Sequence, residues 1–416
     1  MNLWNTASIV VVIAALFAFA NYRWLRLPSS IGIMLVALLV SGLVIVIGGY
    51  GPGWIRSNAT LLLRSVNFSE TLMHGMLSFL LFAAGLNADL QGLKKQAVVV
   101  GLLATVGLLA SVVIIGFAAF EVFSLLGVDV PLLYALLFGA LISPTDPIAV
   151  LDTLRRSPAP APLNAKIAGE ALFNDGVGIV AFVVLLDLVT GRSTPEPASV
   201  IVLFLEEALG GILCGAAIGW GGIWLLKKVD DYSVEVLMTL AIVMGGFSIA
   251  ESLHVSAPIA MVVSGLLIGD RGRRVAMSDM TRQHVDMFWK LIDELLNALL
   301  FVLIGLEVLV LDFQPSYLLA AAVLVPVILL TRFACVGSIL TLLRSFRRFS
   351  PHAVKIMTWS GLRGGISVAL ALSVPAETPR DAILTVTYAA VVFTIVVQGL
   401  SIGPVVRGLY TPRRPS

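Results

Sequence analysis

The chain has 416 residues, 58% of them hydrophobic and only 12% charged, with a mean hydropathy of +1.00. A soluble protein carries about 25% charged residues, so this chain cannot coat a water-facing surface and reads as an all-α polytopic membrane protein with no separate soluble domain. A net charge of +2 argues against a nucleic-acid partner, two cysteines in apolar runs (Cys214, Cys335) exclude a disulfide framework and read as small core residues, and four scattered histidines speak against structural zinc.

In chain order, apolar stretches bounded by Pro, Gly and charge fall near 6–22, 29–49, 69–88, 96–124, 130–154, 164–189, 199–226, 233–252, 256–269, 286–310, 316–343, 351–374 and 380–409. That predicts thirteen spans, each helical because only a helix satisfies its own backbone within lipid. Ala18-Phe19-Ala20 resembles a signal-peptidase site, but no basic segment precedes it. Eighteen Lys and Arg residues gather in alternate connections: Arg23, Arg26, Lys94, Lys95, Arg155, Arg156, Lys227, Lys228, Arg271, Arg273, Arg274, Arg282, Arg344, Arg347, Arg348, Arg407, Arg413 and Arg414. The opposite side has four, Arg56, Arg64, Arg192 and Arg380. The positive-inside rule puts the richer side in the cytoplasm, the N-terminus outside and the C-terminus inside, in the cell membrane. Trp4, Trp24, Trp54 and Trp289 suit an interfacial belt.

The chain repeats itself. Leu80-Leu81-Phe82 with Gly85-Leu86 recurs, at an offset of 219 residues and a one-residue slip at the glycine, as Leu299-Leu300-Phe301 with Gly305-Leu306. The same offset carries Thr145-Asp146-Pro147 onto Gly364-Gly365-Ile366. Both lie within long apolar segments, the fifth and twelfth spans, and both break helices. Ser143-Pro-Thr-Asp-Pro147 removes two backbone donors, and Gly361-Leu-Arg-Gly364-Gly365 lowers helix propensity three times. Spans seven apart have opposite orientation. The pattern therefore predicts two inverted six-helix repeats, about 1–190 and 233–410, linked by the seventh span (199–226) in one transmembrane domain. Inverted repeats with matching broken helices point to a secondary transporter whose site lies where the breaks meet.

Four ionisable residues stand near mid-membrane, where charge is costly and functional by default: Asp146, Glu170, Asp175 and Arg363. Glu170 and Asn174 share a helix face, from which Asp175 is turned by about 100° or more. Arg363 always carries its charge and needs a carboxylate. If Glu170 supplies it, Asp175 is free to face Asp146. Two neighbouring carboxylates in a dry site cannot both stay ionised without a cation, so the pair binds a proton or a small hard cation. Asp187, Glu206, Glu207, Glu307 and Arg332 read as paired or near span ends, while Asp293 and Glu294 could draw cations into a cytoplasmic funnel.

These residues resemble a known family. Ser143-Pro-Thr-Asp146-Pro, Glu170-Ala-Leu-Phe-Asn174-Asp175 and Gly361-Leu-Arg363-Gly-Gly look like the sodium/proton antiporters of the NhaP/NHE type, the monovalent cation:proton antiporter-1 family. So do Phe82-Ala-Ala-Gly-Leu-Asn87, Ser256-Ala-Pro258 with Gly265-Leu-Leu-Ile-Gly269, and Leu299-Leu-Phe-Val-Leu-Ile-Gly305-Leu-Glu307. The resemblance implies an NhaA-like fold, with a six-helix core moving against a panel that forms a homodimer. It implies that Asp175 carries cation and proton in turn, that Asp146 and Thr145 help hold Na+, and that Glu170 and Arg363 form a structural ion pair. Asn174 before Asp175 marks electroneutral exchange, and no resident cofactor is implied. Two positions depart from the pattern. Ala83 and Ala171 stand where some members have Glu and Ser, which leaves fewer oxygens for the cation and opens the way to K+ or Li+. Only Thr411–Ser416 follows Tyr410, so no appended regulatory domain is expected. The alternatives are a K+/proton or unselective cation/proton antiporter, an intramembrane hydrolase using Asp146 and Asp175 as a dyad, and a channel. Without a Gly-x-Ser-x-Gly or His-Glu-x-x-His motif, the chain does not read as an enzyme.

Overall fold

A computed structural model of the chain describes residues 3–50, 75–146, 148–155, 157, 159–191, 197–309, 311, 314–375 and 379–410. Pro147, Arg56, Arg64, Arg156, Arg192, Arg413, Arg414, Trp54 and the start of the third predicted span lie outside the described residues. Among those described, no β-strand occurs. The helices are α1 (Leu3–Ala20), α2 (Ser29–Tyr50), α3 (Leu77–Leu86), α4 (Leu90–Leu102), α5 (Leu108–Leu125), α6 (Leu132–Ile142), α7 (Ile148–Arg155), α8 (Ala161–Val189) and α9 (Pro197–Leu226). They continue with α10 (Tyr232–Ser252), α11 (Ala257–Leu267), the single turn α12 (Arg273–Val275), α13 (Asp279–Glu307), α14 (Pro315–Leu343), α15 (Ala353–Trp359), α16 (Gly365–Ser373), α17 (Arg380–Phe393) and α18 (Gly399–Tyr410). A π-turn at Leu103–Gly107 joins α4 to α5, and another at Thr394–Gln398 joins α17 to α18.

Local sequence sets the boundaries. Asp89 caps α4 by accepting the Gly92 N–H at 3.0 Å, and Asp231 caps α10 by accepting those of Ser233 and Val234 at 2.9 and 3.1 Å. Pro162 and Pro315 fall in the first turns of α8 and α14, where a missing N–H costs nothing. Between α5 and α6 the chain turns at Gly127 with φ +70°, a conformation glycine adopts without strain.

Among the described residues, eight helical stretches are long and apolar enough to cross a bilayer: 7–25, 29–47, 90–125, 161–189, 198–226, 232–252, 315–343 and 380–410. The other five predicted positions hold helices of a different kind. α3, α6 and α11 have 10, 11 and 11 residues. The twelfth position is divided between α15 and α16. The tenth, α13, is 29 residues long and starts seven residues before the expected boundary, because Ser278 caps it at Thr281 and its first half is charged.

The helices pack as two groups. One contains α4 to α6, α8, α14, α16 and α17; the other contains α1 to α3, α9 to α11 and α13. Within the second group α3 crosses α11 so closely that a Cβ on Gly85 would lie 2.7 Å from the Val262 carbonyl oxygen, and one on Gly265 would lie 2.5 Å from that of Phe82. Only a backbone without side chains allows this approach. Between the groups, α8 packs against α9 and α11. Where the predicted cytoplasmic ends meet, Lys94 of α4 pairs with Asp270, just after α11, at 3.7 Å. Arg273 joins Asn87 and Asp286, and Arg274 joins Asp270.

Two expectations need correction here. Trp289 is fully buried rather than interfacial, packing on Phe79, Phe82 and Phe288 and donating its indole N–H to Thr239 Oγ1 at 3.0 Å. Its helix is amphipathic, and the tryptophan lies on the inward face. Cys335 is a core residue, but Cys214 is only partly buried, because α9 turns much of its apolar surface outward, including Leu205, Leu209, Leu213 and Trp220.

Candidate functional site

The site forms where two irregular segments meet. After Ile142, α6 ends; Pro144 offers no N–H to continue the ladder, and Ser143 Oγ donates back to the Gly139 carbonyl at 2.7 Å. Helix resumes at Ile148. In the second segment α15 ends at Trp359, and α16 starts at Gly365 after an extended Gly364. The two segments are joined backbone to backbone: the Asp146 N–H donates to the Leu362 carbonyl at 2.8 Å. Arg363, buried beside them, donates from Nη1 to the Ser143 carbonyl and, at 2.8 Å, to that of Pro144. These carbonyls sit at the negative end of α6, so the guanidinium also neutralises the helix dipole. The Arg363 N–H is held by Thr394 Oγ1 at 3.0 Å.

Helix α8 runs alongside. Glu170, Asn174 and Asp175 are all buried on it. Asn174 Nδ2 donates to Thr145 Oγ1 at 2.8 Å, and the Thr145 N–H reaches Asn174 Oδ1 at a long 3.5 Å. One turn beyond Asn174, a Cβ on Gly178 would lie 2.2 Å from Pro144 Cγ, so the glycine lets α8 press against the first irregular segment. Asp146 is half-buried and lies within electrostatic reach of Asp175. A Cβ on Gly364 would meet the Asp146 carboxylate at 2.2 Å. The Gly-Gly pair therefore makes room for this carboxylate.

One expected contact is different. Glu170 does not pair with Arg363. Its partner is Arg332 of α14, which takes the carboxylate with both arms of its fork, Nη1 to Oε1 at 2.5 Å and Nη2 to Oε2 at 3.1 Å. Arg332 Nη2 also donates to the Met357 carbonyl at 3.1 Å, and Gly361 leaves room for its Nε, which a Cβ there would approach to 2.5 Å. Arg363 stays within electrostatic reach of Glu170 but spends its hydrogen bonds on carbonyl oxygens. Sequence reading placed Arg332 with the bland intramembrane charges. Its signal was position alone: a cation well inside an apolar helix needs a partner.

The structure thus brings Thr145, Asp146, Asn174, Asp175 and Arg363 into one cluster, with Glu170 bound to Arg332 beside it. Buried Ala83 and Ala171 carry no oxygen. Glu294 is exposed and 3.9 Å from Lys290, and Asp293 accepts from Asn297 at 3.0 Å. Glu206 is exposed and Glu207 half-buried on α9. Glu307, buried at the end of α13, feels the charge of Arg380. The cluster thus holds two carboxylates beside a buried guanidinium that is bound to the Ser143 and Pro144 carbonyls.

Residues 11–408 match the family described as sodium/hydrogen exchanger, transmembrane. The chain is 47% identical over 404 residues to the Na(+)/H(+) antiporter NhaP of Pseudomonas aeruginosa, covering 96% of this chain and 95% of that one. It is 32% identical over 392 residues to the Na(+)/H(+) antiporter NhaH of Halobacillus dabanensis, covering 93% of each. The fold matches that of the sodium proton antiporter MjNhaP1 from Methanocaldococcus jannaschii with a TM-score of 0.76 at 20% identity, over 99% of this chain and all of that one.

Proposed function

This chain belongs to the sodium/hydrogen exchanger family, and we propose that it is a secondary antiporter that exchanges Na+ for H+ at one site built from Asp175 and Asp146. The observation that carries the reading is the burial of Asp175 within electrostatic reach of Asp146, beside two irregular segments tied together by the Asp146–Leu362 bond. An ionised carboxylate in that setting is too costly to leave uncompensated. Loaded with Na+ or with a proton, the site loses its excess charge and can cross between the two faces of the membrane; empty and charged, it cannot. Competition for one site then gives obligatory exchange. Thr145 contributes its hydroxyl or carbonyl oxygen to the cation, and Asn174 holds Thr145 in place. With Asn174 rather than a second aspartate before Asp175, the exchange is one for one and electroneutral.

The accompanying architecture is thirteen spans, broken at the fifth and twelfth, in two inverted repeats joined by α9. The N-terminus is outside and the C-terminus cytoplasmic in the cell membrane. The second helix group forms the panel of a homodimer, and the exposed apolar face of α9 supports its use in that contact. A K+/H+ or unselective exchange is the second reading, favoured by the methyl groups of Ala83 and Ala171 in place of oxygens. Everted membrane vesicles with a pH-sensitive dye test both. NaCl and LiCl should dequench the dye through the wild-type protein. Dequenching by KCl alone, or equally by all three salts, would establish the second reading, and dequenching by NaCl that survives Asp175→Asn would sink the site.

A further inference from the structure

The π-turn Thr394–Gln398 interrupts the last span beside the second irregular segment. Two bonds fix the register. Thr394 Oγ1 accepts the N–H of Arg363 at 3.0 Å, and Ser401 Oγ accepts the indole N–H of Trp359 at 2.8 Å. The last span therefore runs antiparallel to residues 359–363. Gln398 lies between these contacts, four residues after Thr394 and three before Ser401, spacings that put all three on one helix face. At the neighbouring Gly399 a Cβ would lie 2.9 Å from Ile31 Cδ1 of α2 and 3.7 Å from Leu362 Cδ1. Gln398 is fully buried, yet neither its Nε2 nor its Oε1 has a hydrogen-bond partner. Arg363 Nε is likewise buried without an acceptor. A carboxamide with both functions unmade is a rare exception among buried polar groups. Unsatisfied polar groups buried on two neighbouring segments are the setting in which an internal water is held.

We infer that Gln398 is a positioning residue for ion exchange. Its carboxamide, through one buried water, satisfies Arg363 Nε and steadies residues 360–363, whose Leu362 carbonyl receives the Asp146 N–H. Asn174 does the corresponding work on the first segment through Thr145. Thr394 stands 219 residues after Asp175, the offset of the internal repeat, so the last span presents an uncharged polar face where α8 presents its aspartate. The inference rests on the cation/proton exchange proposed above.

Its test uses the full chain in liposomes, with Na+-driven proton flux and backbone hydrogen exchange measured on the same preparations. Gln398→Met keeps the side-chain volume and removes both polar functions. It should raise the apparent KM for Na+ about fivefold, the factor that corresponds to about one hydrogen bond. It should leave kcat near wild type and speed hydrogen exchange only in the peptide spanning 359–364. Gln398→Glu, which keeps an acceptor for the water, should restore KM to within about twofold, since little hydrogen-bond energy is then lost. If Gln398→Met does not accumulate, Gln398→Asn, which withdraws the amide by one methylene, should show the same KM shift. An unchanged KM, exchange that rises throughout the protein, or equal losses in Met and Glu variants would overturn the inference. A wild-type protein without Na+-driven flux would instead overturn the parent reading.

Discussion

At the scale of single residues, the decisive contrast is between two arginines buried in the same neighbourhood. Arg332 faces a carboxylate, whereas Arg363 faces carbonyls. Arg332→Ala leaves Glu170 charged and unpaired, at a cost of about 3–5 kcal/mol. Melting in detergent should fall strongly, and the added change Glu170→Gln should recover much of the loss. Arg363→Ala removes a donor from two carbonyls and should cost less, about 1–3 kcal/mol, while abolishing transport. Equal melting losses for the two substitutions would show that Arg363 also supports Glu170. Asp175→Asn and Asp146→Asn replace an ionisable group with a neutral one of the same shape. The first should eliminate Na+-dependent proton flux; the second should weaken Na+ binding strongly, both read in vesicles with the protein present at wild-type level.

At the scale of elements, glycine and proline do what charge cannot. Pro144 ends α6, and Gly364 admits the Asp146 carboxylate. Gly364→Val should block exchange, because its side chain needs the space that the carboxylate holds. Gly101→Ala on α4, where a Cβ meets nothing within 4 Å, should leave both flux and melting unchanged. The irregular segments were legible beforehand because proline and clustered glycine oppose helix regardless of what surrounds them. Asp146, Asn174, Asp175 and Arg363 stood out because charge and amide are rare in apolar spans. The pairing of Glu170 was not legible. Helical periodicity fixes which residues share a face but not which neighbouring helix that face meets, so the motifs point Glu170 to Arg363 and give no sign of Arg332. Trp289 misled for a related reason: charged neighbours on the outer face of α13 hid the inward one. Gln398 belongs to none of the motifs, and a single amide inside an apolar span does not by itself say which neighbouring segment it faces.

At the scale of the whole molecule, the two helix groups meet along α8 and at the Lys94–Asp270 contact. The exchange proposed above has one group move against the other. Cysteines at 94 and 270, in a protein with Cys214 and Cys335 replaced by serine and alanine, should stop transport when bridged by a short bifunctional reagent and recover when the bridge is cleaved. Transport that continues across an intact bridge would rule out such motion at this contact. The bond between the Asp146 N–H and the Leu362 carbonyl has a different kind of consequence, one that concerns biogenesis. When the ribosome has made only the first half, the Asp146 amide and the carbonyls of Ser143 and Pro144 have none of their final partners, which lie about 220 residues ahead. Lipid offers no substitute. The nascent first half must keep this stretch wet or shielded until the second half inserts, so premature termination before residue 362 should yield a fragment that membrane proteases recognise and remove.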